Sequence, residues 1–124
     1  MTLVSAIDHV VLTVRDPEAA ADFHARALAL RRIDFGTGRI ALQVGAQKIN
    51  LQSLGQETRN HAGIGAGDIC LLTDRPLADV AARLKAQGVE ILEGPVARSG
   101  ARGPIASLYF ADPDGNLVEV ATYG

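Results

Sequence analysis

Two stretches of the chain carry apolar residues at helical spacing, and the remainder alternates at the period of a strand. From Asp16 the first helical stretch has a capping carboxylate, then Pro17 in the first-turn position and Glu18 at the positive helix end. Ala20, Phe23, Ala27, Leu28 and Leu30 follow as its apolar stripe. The second begins at Pro76, with Leu77, Val80, Ala81 and Leu84 on one side and Gly88 as its stop. Period-two segments predict strands over 7–14, 30–35, 39–44, 47–53, 68–73, 90–93, 105–111 and 115–122. Turns are expected at Gly36-Thr37-Gly38, at Gly45-Ala46 and at the DPDGN segment 112–116, and a loop over 93–104.

The order is strand, helix, three strands, and then the same again. That is an internal repeat of a βαβββ unit. The first unit covers about 5–55 and the second about 66–122 of a single 1–124 domain, with the polar, glycine-containing segment 55–67 between them. The expected class is α+β, built of two βαβββ modules. One module alone has a sheet with one face covered by its helix and the other bare, so the bare faces must meet within a chain or between chains.

A carboxylate interrupts the last strand. Leu117, Glu119 and Ala121 share one face, Val118 and Val120 the other. Overlaying DHVVLTV on GDICLLT sets His9 over Asp68, and overlaying GAQKINLQ on DPDGNLVE sets Gln52 over Glu119, with the eight extra residues of the second half falling in 93–104. All four carry oxygen or nitrogen suited to a cation, on faces assigned away from the helices. Their burial in a partly apolar cavity is unfavourable unless they are paired or bound to metal. Nitrogen and oxygen donors without thiolate suit magnesium, manganese, iron, nickel or zinc. Each residue also has an ordinary structural role open to it: a satisfied histidine, an edge-strand Glu119, a Gln52 bonded to a neighbour, an Asp68 bonded to a turn amide. The matched placement in two repeats is what favours the metal.

Composition narrows the classes. With 124 residues, a net charge of −2 and pI near 5.8, there is no basic footprint for nucleic acid. No apolar run is long enough for a bilayer, and the start MTLVSAIDHV lacks the pattern of a secretion signal. The single Cys70 can form no internal disulfide, which fits a reducing, cytoplasmic setting. The absence of Trp argues against a stacking-rich cleft.

The pieces IDHVVLTVRDPEAAADFH, ALQVGAQKINLQ and EGPVARSGARGPIASLYFADPDGNLVEV, together with the repeat, resemble the vicinal oxygen chelate superfamily of glyoxalases, bleomycin-resistance proteins, thiol transferases and extradiol dioxygenases. The likeness is greatest to small glyoxalase-domain proteins. It implies that the two modules form a cup-shaped mixed sheet with the helices on its outer face, with a divalent metal in the cup held by His9, Gln52 and Glu119, Asp68 as a fourth candidate, and Glu119 as the catalytic base. Asn50 and Arg98 are the substrate-binding candidates. Arg98 and Arg102, assigned to the long loop, would meet a carboxylate or phosphate. Gln52 stands where relatives carry histidine, and Asp68 departs from the histidine that some of them use. The implied reaction is of lyase or isomerase type on a small substrate with vicinal oxygens. The alternatives are a drug-binding dimer without catalysis, an extradiol dioxygenase and a thiol transferase. A homodimer is expected, with no nucleic acid or membrane partner. His24 is assigned to the surface of the first helix and His61 to the solvated linker.

Overall fold

The structure is a computed structural model describing residues 1–124. It contains two four-stranded mixed sheets and two helices. Strand β1 (His9–Val14), helix α1 (Pro17–Leu28) and strands β2 (Arg31–Phe35), β3 (Arg39–Val44) and β4 (Gln47–Ser53) form the first module. Strand β5 (Asp68–Leu72), helix α2 (Leu77–Ala86) and strands β6 (Glu93–Gly100), β7 (Gly103–Ala111) and β8 (Leu117–Thr122) form the second. The strand orders are β1-β4-β3-β2 and β5-β8-β7-β6, so both modules wind the same way. In each, the helix carries the chain to the far edge strand of the sheet, the last strand pairs parallel with the first, and the other ladders are antiparallel. No helix is long and apolar enough to cross a membrane.

Helix α1 starts as its sequence dictates: the Asp16 carboxylate accepts the Glu18 amide at 3.0 Å. It ends at Ala29, which adopts the left-handed conformation (φ 57°) that releases the chain into β2. The helix serves both sheets. Ala20 and Ala21 pack with Leu12, Val14, Leu42 and Leu51 of the first. Phe23 and Ala27 pack with Leu108, Phe110, Val118 and Val120 of the second. The Arg83 guanidinium of α2 donates to the Ala25 and Arg26 carbonyls at 3.2 and 3.0 Å, which joins the helices at the end of α1.

Two expectations are corrected here. Segment 93–104 is a hairpin rather than a loop: β6 runs to Gly100, Arg98 lies on it, and Arg102 sits in the turn before β7. As an edge strand β6 faces water on most positions, so its residues are polar and show no alternation. Its pairing also slips between Glu93 and Val96. Gly94 allows the close approach there, since a Cβ on it would stand 2.5 Å from the Ser107 carbonyl oxygen. His24 is not on the helix surface. It is 2% exposed, edge-on to the Phe23 ring, on the side of α1 that meets the second module. The helix carries apolar load on two sides, so its buried arc is wider than that of a helix covering a single sheet.

Candidate functional site

The faces turned away from the helices carry the polar residues singled out above. In the first module His9 is half exposed, and its Nδ1 donates to the Asp8 carboxylate at 2.9 Å, leaving Nε2 free. The parallel ladder pairs His9 with Lys48, Val11 with Asn50 and Thr13 with Gln52. In the second module it pairs Asp68 with Leu117 and Cys70 with Glu119. The counterpart of Glu119 is therefore Asn50, not Gln52. Asn50 stands two residues beyond the partner of His9, as Glu119 stands two residues beyond the partner of Asp68. Such diagonal neighbours lie about 7–8 Å apart, within reach of converging side chains. Gln52 is four residues beyond the partner of His9, or about 13 Å along the strand.

The two sites differ in how they are satisfied. The Gln52 amide donates to the Thr13 hydroxyl at 3.1 Å in a buried pair. Asn50 is 6% exposed, yet its Oδ1 has no partner. Its cross-strand neighbours, Val11 on β1 and Ala41 on β3, offer no side-chain donor. A buried acceptor left empty costs about 1–3 kcal/mol. Glu119 is well held. The buried Ser107 hydroxyl donates to its Oε2 at 2.6 Å, leaving Oε1 open. Burial, and then the Glu119 charge beside it, push the Cys70 thiol up to about 11, so Cys70 stays a neutral neighbour.

Asp68 and Glu119 line one open cavity of about 500 Å³ with Leu92, Glu93, Arg98, Tyr109 and Leu117. Glu93, Tyr109, Glu119 and Cys70 form a single row across all four strands of the second sheet. Arg98 lines this cavity, but not as a free anion receptor. Its Nε donates to the Tyr109 hydroxyl oxygen at 3.0 Å, its Nη2 to Glu93 at 3.2 Å and its Nη1 to the Ala97 carbonyl at 2.9 Å. Tyr109 went unrecognised in the sequence because it reads as one of the alternating apolar positions of its strand; its place beside Glu119 needs the β7–β8 register. His61 lies exposed in the segment between the modules. Within one chain no three His, Cys, Asp or Glu side chains gather at coordinating distance. Each module supplies one diagonal pair, on its own sheet.

The donor set fits a divalent cation. An imidazole nitrogen, an amide oxygen with no other partner and two carboxylates are nitrogen and oxygen ligands throughout.

Known proteins share both the sequence and the fold. Residues 6–120 match the family model described as the Glyoxalase/Bleomycin resistance protein/Dioxygenase superfamily. The glyoxalase domain-containing protein RDO1 of Mycosarcoma maydis is 42% identical over 97% of this chain and 69% of its own length. Virulence protein STM3117 of Salmonella typhimurium is 41% identical over 98% of this chain and 86% of its own. A solved integron cassette protein of V. cholerae superposes with a TM-score of 0.94 at 46% identity, covering 100% of this chain and 99% of that one. The repeated module, the paired diagonals and this likeness over nearly the full length agree: the chain belongs to the glyoxalase/bleomycin resistance protein/dioxygenase superfamily.

Proposed function

We propose that the chain is a divalent-cation-dependent enzyme acting on a small substrate with two adjacent oxygens, in lyase- or isomerase-type chemistry. Its site is completed by a second copy. Each cup joins the first module of one copy to the second module of another, so that the His9–Asn50 pair meets the Asp68–Glu119 pair. Asn50 takes the place first assigned to Gln52, and Gln52, tied to Thr13, is left to face the substrate.

The observation that carries this reading is the partnerless Asn50 Oδ1, buried at the counterpart of Glu119. The exposed apolar residues support a second copy. Ile7 and Val11 share the face of His9 by strand parity, Leu72 shares that of Asp68, and all three are more than 40% exposed. A bound nickel, manganese, iron or zinc ion would supply Lewis acidity to the substrate oxygens. The chain's own part is to orient and to move a proton. With Oε2 held by Ser107, Glu119 accepts the proton at Oε1.

Elemental analysis of the purified full-length protein tests this, alongside its size in solution. Stoichiometric metal in a dimer, lost in both His9→Ala and Glu119→Gln, is the expected result. Such a protein then merits a turnover screen of dicarbonyl–thiol adducts, catechols and epoxides. A folded protein that takes up no divalent cation refutes the reading and leaves a non-catalytic binder of small molecules.

A further inference from the structure

Glu119 and Tyr109 are directly paired across β8 and β7 and share one face, so their Cβ atoms stand about 5 Å apart. Each has one side of its oxygen chemistry occupied from within the chain. Ser107 donates to Glu119 Oε2, and the Arg98 Nε–H donates to the Tyr109 oxygen. Arginine has no acceptor to offer in return, so the phenol proton must point away from Arg98. No acceptor in the chain receives it, and the cavity lies in front of it. What the second module presents to the cavity is therefore an acceptor, Glu119 Oε1, beside a donor, the Tyr109 O–H.

We infer that Tyr109 is a substrate-binding residue that donates a hydrogen bond to one of two adjacent substrate oxygens, and that Arg98 is the positioning residue that aims it. The inference rests on the cation site of the proposed function. It changes the part assigned to Arg98: Glu93 neutralises its charge in place, and its contribution to the substrate passes through the phenol. A substrate oxygen bearing negative or partial negative charge is the matching chemistry, as in a hydroxy-carboxylate or a hydroxy-ketone.

Oxalate, a minimal vicinal-oxygen anion, is the probe. It is titrated calorimetrically into the Mn²⁺-loaded full-length protein and into Tyr109→Phe, Arg98→Met, the double variant and Tyr123→Phe. Removing one hydrogen bond to a charged oxygen predicts about 10-fold weaker oxalate binding in Tyr109→Phe. Mn²⁺ affinity should stay within about twofold of wild type, and Tyr123→Phe, the change at the only other tyrosine, should bind as wild type. Arg98→Met should weaken oxalate binding when Tyr109 is present and have no effect in the Tyr109→Phe background, a pattern that a merely structural role would not produce. Equal oxalate affinity in wild type and Tyr109→Phe overturns the inference and leaves the cation site standing. A wild-type protein that takes up no Mn²⁺ or other divalent cation overturns both.

Discussion

Replacing His24 with leucine should stabilise the protein. The imidazole is 2% exposed, and neither ring nitrogen has a hydrogen-bond partner. Its one charged neighbour is Asp112, with Oδ2 3.9 Å from Nε2, beyond hydrogen-bond range. Asp112 does not depend on it. Oδ1 accepts the Asn116 and Asp114 amides, and Oδ2 accepts the Asn116 side chain. Leucine would retain most of the volume against Phe23, raise helix propensity and remove two buried unsatisfied atoms. One unsatisfied buried group costs about 1–3 kcal/mol. Allowing for imperfect repacking, the net gain should be about 1 kcal/mol at pH 7, or roughly 3–6 °C in melting temperature for a chain of this size.

The same substitution should flatten the dependence of stability on pH. Burial lowers the His24 pKa, and the Asp112 charge only partly opposes it. The unfolded chain binds this proton from pH about 6.5 downward, while the folded chain resists it to lower pH. Between those two values the unfolded state holds more protons, so stability falls as the pH falls. Thermal melts of wild type and His24→Leu at pH 5, 6, 7 and 8 measure both effects. A variant less stable than wild type at pH 7, with the same acid slope below pH 6.5, would refute the account of a costly buried imidazole.

The register makes a sharp distinction between two neighbours. Asn50→Glu restores a carboxylate at the counterpart of Glu119 and should tighten Mn²⁺ binding at least several-fold, whereas Gln52→Glu should leave it nearly unchanged; a Mn²⁺ titration followed by paramagnetic resonance separates them. Ser107→Ala frees the Glu119 carboxylate to turn, and loss of such an outer partner should cost about 10-fold in Mn²⁺ affinity by the same assay. Asp16→Ala removes the cap of α1 and should destabilise by about 1 kcal/mol in denaturant unfolding, without altering cation affinity.

The elements of this fold were legible wherever local chemistry decides them. Asp16-Pro17 starts α1, the segment 112–116 turns β7 into β8, and the repeat shows in the order of elements. What was not legible depends on contacts between distant parts of the chain. His24 falls on an arc of α1 that a single sheet would leave bare, and there it lies edge-on to Phe23 and beside the second module's Asp112. Strand β6 belongs to its sheet through pairing with β7 alone, so its own residues carry no apolar alternation.

The overlay of Gln52 on Glu119 departs from the observed register for a geometric reason. A gapless overlay assumes that the two β-hairpins turn in equal length. The first turns through Gly45 and Ala46, with Val44 paired to Gln47; the second turns through residues 112–116, with Ala111 paired to Leu117. Sliding one hairpin over the other therefore displaces whatever follows the turn, and the ladders to β1 and β5 show the net displacement to be two residues. A shift of two keeps every side chain on its own face, because the strand period is two. For that reason the concave face was identified correctly while the row along it was not. A one-residue slip would have sent the polar set into the helix-facing core and been rejected on hydrophobicity; a two-residue slip leaves the burial pattern intact and is invisible to it. Choosing among Lys48, Asn50 and Gln52, three polar residues on one face of one strand, requires the cross-strand register. The register makes Asn50 the counterpart of Glu119, and Asn50 is the one of the three whose side-chain oxygen is buried without a partner.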